Sequence, residues 1–261
     1  MTDLSRHDIR LRVFEALRHG PSTQWQNFVQ YYFKDALGRA PNSQEMQTAL
    51  EILHELMNAG ILMPGNNPDN PGLGLFCLTM HGRDLLEKAG PPVYDYDGYL
   101  AELRKESPSL DETVVVFLSE SLQAYHRTLY LSSLVMLACA SERLIRLLID
   151  AYVNSIADAK NREKLTNRLN GRDISEAFTR FHESFASTRN QISDTRLPND
   201  FDLHVESVFT FIRVVRNSIV HSQNLPTVTS AIVYANLQQF SFYARTIVEL
   251  ITWFESNQTT V

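Results

Sequence analysis

Four polar residues in one stretch of the sequence could bind a phosphodiester and move a proton on it: Arg213, Arg216, Asn217 and His221. On a helix, Arg213, Asn217 and His221 are spaced i, i+4 and i+8, so their side chains share one side. Arg216 lies one turn from Arg213. Arginine presents a fork of donors that matches phosphate oxygens, and histidine exchanges a proton near neutral pH. The spacing therefore indicates a helical patch suited to a phosphate group.

The sequence around this patch contains no acidic residue. The span from Ser207 to Val248 has no Asp or Glu, although the chain holds 30 of them, and the same span includes Arg245. Two close arginines on a helix repel each other by roughly 0.2–0.5 kcal/mol, which a bound anion would offset. The span is expected to be locally positive. Because the net charge is -6, contact with nucleic acid is expected at a local patch and not over the whole surface.

The run Arg216-Asn217-Ser218-Ile219-Val220-His221 resembles the Arg-x4-6-His motif of HEPN domains, in which Asn usually follows the Arg. The resemblance covers roughly residues 111 to 254. It includes the position of the motif late in a helix of an α-bundle, and an earlier helix, Tyr130 to Tyr152, that carries an acid. HEPN proteins form dimers whose motif helices face each other across a cleft, and many are metal-independent endoribonucleases of toxin or anti-phage systems. The resemblance therefore implies an RNA substrate, a homodimer and a hydrolase without a cofactor.

The resemblance also assigns roles to the motif residues. His221 would transfer a proton at the ribose 2′-hydroxyl or the leaving oxygen, and Arg216 would stabilise the phosphorane, since arginine stays protonated and cannot be the base. Asn217 would orient the site or the helix end, and Arg213 would add affinity for phosphate. A structural interpretation stays open. In some HEPN domains the Arg pairs with an acid, and the His caps the C-terminal end of its helix, where the dipole favours a cation.

Glu142 is the candidate supporting acid. It interrupts an otherwise apolar helical stripe that includes Val135 and Ile149, and a buried charge needs a partner. One interpretation pairs Glu142 with Arg213 or Arg216, holding the arginine for phosphate. The alternative is a surface bridge to Arg146, one helical turn away.

The sequence does not predict a metal site. Cys77 and His81 are four residues apart but lack a second pair, so Cys77 is interpreted as a core residue of a hairpin. His126, His182 and His204 stand alone and are interpreted as ordinary surface or core residues. Two cysteines in 261 residues and a polar N-terminus suit a reducing cytoplasm. No apolar stretch is long enough to span a membrane.

Residues 1–90 are predicted to form a winged-helix-like domain of three helices and a β-hairpin. Asn42 with Glu45 predicts a capped third helix, Ser43 to Ala59. The segments 61–63 and 75–78 flank a turn-rich stretch and predict the hairpin. The third helix and the wing contain no Lys or Arg. DNA binding is therefore not expected, and a protein contact or dimerisation is favoured.

Residues 91–108 are predicted to be a connector, and residues 109–256 a HEPN-type α-helical bundle, which makes the chain mainly α. Ser109 and Glu112 predict a capping box at the first helix of the bundle. The resemblance to HEPN domains implies an endoribonuclease that acts as a toxin or defence effector and that an antitoxin or regulatory partner controls. The alternative is a non-catalytic HEPN dimerisation scaffold or regulator whose winged-helix module binds a protein or DNA.

Overall fold

The computed structural model describes residues 4–65, 74–87, 96–206, 208–209 and 227–260. These residues are mainly helical and include a small antiparallel sheet, which confirms the predicted mainly α class. The contacts within the chain divide it into two compact units, one formed by residues 1–99 and 126–128 and the other by residues 100–125 and 129–261. Among the described helices, none combines the length and the apolar character that crossing a membrane requires.

The first unit contains short helices around a three-stranded sheet. Its elements are α1 (Arg6–His19), β1 (Ser22–Gln24), α2 (Trp25–Asn27), the first π segment (Phe28–Phe33), α3 (Lys34–Leu37), α4 (Ser43–Asn58), β2 (Leu62–Pro64), β3 (Leu75–Leu78) and α5 (Met80–Glu87). The core contains Phe28, Phe33, Leu53 and Phe76, all fully buried. Burial of these large apolar side chains stabilises the unit.

The predicted third helix and hairpin of this unit are confirmed. Asn42 and Glu45 form a capping box, in which each side chain accepts a hydrogen bond from the other residue's backbone N–H. Strands β2 and β3 pair antiparallel, with Met63 opposite Cys77. Cys77 is buried, as its interpretation as a core residue requires. The sequence did not predict β1, which pairs with the other edge of β3, because three residues are too short to show an alternation.

Ion pairs join α4 to α1 and to the turn before it. Arg6 contacts Glu51 at 3.0 Å and Glu55 at 2.5 Å, and the nearly buried Arg10 contacts Glu55 at 2.6 Å. Glu45, also buried, pairs with an arginine of the preceding turn. The acidic residues of α4 are therefore paired within the unit.

The second unit is built from helices. Its elements are α6 (Tyr96–Glu106), which begins in the first unit, α7 (Glu112–His126), α8 (Tyr130–Ser155), α9 (Ala159–Leu169), α10 (Ile174–Thr188), a 3-10 turn (Arg189–Gln191), α11 (Arg196–Asp200), the second π segment (Phe201–Glu206) and α12 (Ser230–Ser256). The long helices α8 and α12 pack against each other, and α12 also packs on the second π segment. An aromatic cluster fills the adjoining core: Tyr152, Phe181, Phe185, Phe201 and Phe254.

Two details differ from the predicted boundaries. The predicted connector is helical from Tyr96 to Glu106. The N-terminal cap of α7 is Asp111 and not Ser109, because Asp111 Oδ1 accepts hydrogen bonds from the backbone N–H groups of Thr113 at 3.0 Å and Val114 at 3.3 Å. Asp is an equally good capping residue, and Arg143 favours it here by pairing with the same carboxylate.

Candidate functional site

The predicted phosphate site lies outside the described residues. Arg213, Arg216, Asn217 and His221 all fall within 210–226. The chain on both sides of this segment belongs to the second unit. The described flanks therefore supply the structural context of the motif.

The residues that lead into the motif segment are buried in the second unit. Phe209 is 2% exposed, and its ring lies 4.6 Å from that of Phe178 on α10. After the motif segment, Thr229 caps α12 by accepting a hydrogen bond from the backbone N–H of Ile232. The second π segment, which precedes the motif, packs on α12, which follows it. In the sequence, the motif segment therefore lies between two elements that contact each other.

Glu142 lies on α8 beside the contact with α12. The carboxylate is half-buried, and its Oε1 atom is shielded from solvent. Burial raises the pKa of the Tyr243 phenol on α12, a hydrogen bond from Ser141 lowers it, and the negative charge of Glu142 raises it further. The predicted arginine partners of Glu142 lie outside the described residues, and Arg146 is exposed. An acid is therefore present, half-buried, where α8 meets the helix that follows the motif.

Arg245 changes the expected charge of this region. The sequence predicted a positive field because the span from Ser207 to Val248 has no acid. In the fold, Arg245 Nη1 lies 3.8 Å from Glu106 Oε2, a carboxylate from α6. The guanidinium also lies over the ring of Phe242, 5.3 Å from its centroid. At the described end of the span, the positive charge is therefore partly neutralised by an acid distant in sequence.

A second group of potentially reactive side chains lies between α10 and the second π segment. One ligand atom from each of His182, Asp202 and Glu206 lies within 4.8 Å of the other two. His182 Nε2 is 3.8 Å from Glu206 Oε2, too long for a hydrogen bond. Arg189 donates to Asp202 Oδ2 at 2.8 Å. Imidazole and carboxylate groups at this separation can hold a metal ion.

Aromatic packing fixes the ring of His182. It stacks on Phe178, with centroids 6.3 Å apart, and on Phe201, with centroids 5.9 Å apart. Asp202 and Glu206 are four residues apart in a π segment, where a turn holds more residues than the 3.6 of an α-helix, so the two side chains lie nearly in line.

Sequence reasoning missed this cluster because it treated His182 as an isolated residue. The spacing of Asp202 and Glu206 was a visible signal, but an i, i+4 pair of acids occurs on many solvated helices. His182 comes from α10, twenty residues before Asp202, and only the packing of the π segment on that helix brings the imidazole to the pair.

In the predicted winged-helix-like domain, α4 is the helix that would contact DNA. Its exposed residues include Gln44, Gln47, Leu50, Glu51 and His54. The helix contains no Lys or Arg, and the arginines of α1 that reach it bind its own glutamates. This face therefore lacks the free cations that phosphate contacts require.

No protein-family model, curated protein or solved structure matches the chain. Three features of the chain itself therefore indicate a function. They are the Arg-Asn-x3-His run, the half-buried acid on α8, and the helical unit that contains both.

Proposed function

We propose that the chain is a metal-independent endoribonuclease of HEPN type that acts as a toxin or defence effector. The observation that carries the proposal is the run Arg216-Asn217-Ser218-Ile219-Val220-His221, together with Arg213, in a segment without acids. The described part of the second unit, which is mainly helical, supports it. A homodimer and a cytoplasmic location belong to the proposal, because the resemblance implies a shared cleft and a toxin must reach cellular RNA.

The position of Glu142 also supports the proposal. The motif segment is bracketed by the second π segment and α12, and α8 packs on α12. A half-buried carboxylate beside this contact supports the proposed role of Glu142, which is to hold a motif arginine through charge-assisted hydrogen bonds. Such a carboxylate would position the arginine without touching RNA.

In the proposed reaction, the ribose 2′-oxygen attacks the adjacent phosphorus and the bond to the 5′-oxygen breaks. His221 transfers a proton at the 2′-hydroxyl or at the leaving oxygen, and Arg216 stabilises the charge of the phosphorane. Asn217 orients the site, and Arg213 adds affinity for phosphate. The products are a 2′,3′-cyclic phosphate and a 5′-hydroxyl, so no metal-activated water is needed.

The first unit is proposed to be a winged-helix-like module that binds a protein, such as an antitoxin or regulatory partner, or a second copy of the chain. Its order of a helix, a short strand, two helical segments and a hairpin supports this interpretation. The absence of Lys and Arg from α4 favours a protein partner over DNA.

The deciding experiment measures cleavage of RNA by the purified full chain in EDTA. We expect 5′-hydroxyl products from the wild type and none from Arg216→Ala or His221→Ala. Two matched controls carry the same changes elsewhere: Arg146→Ala at an exposed position of α8, and His204→Ala on the second π segment. Both should cleave RNA like the wild type.

Cleavage that persists in His221→Ala would contradict the proposed role of this residue. If the folded wild type cleaves no RNA, the chain is instead the non-catalytic HEPN scaffold or regulator. In that case Arg216 and His221 stabilise the helix end or the dimer contact, and their alanine variants should lower the melting temperature.

A further inference from the structure

We propose that His182, Asp202 and Glu206 form a binding site for a divalent transition-metal ion such as Zn²⁺. This inference is independent of the proposed ribonuclease activity, which uses other residues and no metal. The three residues come from α10 and the second π segment. In the described part of the chain, they are the group whose ligand atoms converge closely enough to share an ion.

The geometry fits a single ion with small side-chain rotations. His182 Nε2 and Glu206 Oε2 are 3.8 Å apart, and all three ligand atoms lie within 4.8 Å of one another. Bonds of about 2.0–2.2 Å from Zn²⁺ to nitrogen and oxygen span a separation of 3.8 Å at a wide coordination angle. Two such bonds span at most about 4.4 Å, so an atom 4.8 Å from another must move inward, which rotation of the exposed Asp202 or Glu206 side chain allows.

The surroundings supply what a metal ligand set requires. The imidazole of His182 packs against the rings of Phe178 and Phe201, which also contact each other, and this packing limits its rotation. Arg189 holds Asp202 through Oδ2, which leaves Oδ1 for the ion and orients the carboxylate from outside. Ligands that are already held in place lose less entropy when an ion binds.

Charge also favours a cation here. Asp202 and Glu206 bring two negative charges to one side of the π segment, and Arg189 pairs with one of them. The two positive charges of a divalent ion would balance the charges of the two carboxylates. Because one imidazole and two carboxylates are a mixed nitrogen and oxygen set, the site should prefer Zn²⁺ and similar ions to Mg²⁺. Its three ligands are half-buried or exposed, so water would complete the coordination.

Binding would join α10 to the π segment. Glu206 precedes Arg213 by seven residues in the sequence. The ion would therefore cross-link the element that leads into the proposed RNA site. Because the unfolded chain does not bring the three ligands together, binding should stabilise the second unit.

The test is calorimetric titration of the full chain, stripped with EDTA and dialysed, with Zn²⁺ at about pH 7.5. We expect saturable binding of one ion at this site and a higher melting temperature. His182→Ala and Glu206→Gln should each weaken binding by more than about tenfold, since losing even an outer partner of a ligand costs ~10–100-fold. His204→Ala, on the same π segment but stacked on Phe242, should bind like the wild type.

Circular dichroism and the melting temperature in EDTA show whether each variant folds. If His182→Ala does not fold, the isosteric variant Asp202→Asn provides a second test of the same site. Absence of saturable Zn²⁺ binding, or equal binding by folded wild type and folded His182→Ala, would overturn the proposal. The cluster would then be a surface ion-pair group. RNA cleavage in EDTA is measured separately, so a failure of either proposal leaves the other intact.

Discussion

The hydroxyl of Tyr243 on α12 donates a hydrogen bond to the backbone carbonyl of Ser141 on α8, 2.9 Å away. The Ser141 hydroxyl in turn donates to the Tyr243 oxygen at 2.7 Å. Both side chains are buried, and burial together with the nearby charge of Glu142 raises the pKa of the Tyr243 phenol. This pair fixes α8 against the helix that follows the motif, directly beside the candidate supporting acid.

The first prediction concerns Glu142. If its carboxylate is held by a cation in the interior, Glu142→Ala should lower the free energy of unfolding by about 2–3 kcal/mol. This is less than the ~3–5 kcal/mol lost when one member of a fully buried pair is removed, because Glu142 is only half-buried. Arg146→Ala, at an exposed position one turn away, should cost only about 0.2–0.5 kcal/mol. Urea denaturation of both variants measures the difference. If Glu142→Ala is as stable as the wild type, Glu142 is instead a surface residue that pairs with Arg146.

The second prediction is a loss of stability in acid that depends on Asp111. Hydrogen bonding and the charge of Arg143 lower the pKa of Asp111 below its ordinary value of 3.8. Because the folded-state pKa is the lower one, this stabilisation is fully present above the unfolded-state pKa. It is lost as the pH falls from about 4 through the folded-state value. Asp111→Asn should therefore be less stable at neutral pH and should lose less stability between about pH 4 and pH 2.

Denaturation at several pH values measures this slope, with Glu120→Gln, at an exposed acid of α7, as the matched control. Glu120→Gln should reproduce the wild-type acid profile. An Asp111→Asn protein with the same profile as the wild type would show that the Arg143 pair does not couple folding to pH.

The third prediction is that the full chain is a weak binder of duplex DNA at physiological salt. The exposed face of α4 carries no Lys or Arg, and Arg6 and Arg10 of α1 are paired with Glu51 and Glu55. Specific DNA-binding proteins typically reach ~10⁻⁸–10⁻¹¹ M under these conditions. Fluorescence anisotropy measures the affinity and its dependence on salt. Binding in the nanomolar range that Gln47→Glu weakens would contradict the prediction and assign α4 to the interface.

The fourth prediction concerns how the proposed ribonuclease site is assembled. Arg216 and His221 are five residues apart, about 140° around a regular helix, so one helix directs their side chains apart. A two-fold axis beside the helix would place the Arg of one chain opposite the His of the other. Mixing inactive Arg216→Ala with inactive His221→Ala, under conditions that exchange subunits, should restore part of the activity. Demonstrated exchange without recovery would rule out a site that needs one Arg and one His from different chains.

Local sequence determined much of the secondary structure. The capping box of Asn42 and Glu45 and the long apolar helices arise from interactions between residues a few positions apart, and the hairpin around Met63 and Cys77 pairs strands that follow each other in the chain. The sequence carries these interactions directly. The cap of α7 shows the limit of this rule. By local sequence, Ser109 or Asp111 could serve as the N-terminal cap. Asp111 is the cap in the structure, where its carboxylate also pairs with Arg143, 32 residues away.

The tertiary structure decided which charges meet. By sequence, Arg245 lies in a span without acids and His182 stands alone. In the fold, Glu106 approaches Arg245, while Asp202 and Glu206 approach His182. Electrostatic and metal-ligand interactions depend on distance in space and act across elements that burial of apolar surface brings together. The motif from Arg216 to His221 is given by the sequence itself, whereas the partners of charged side chains follow from the packing of helices far apart in the chain.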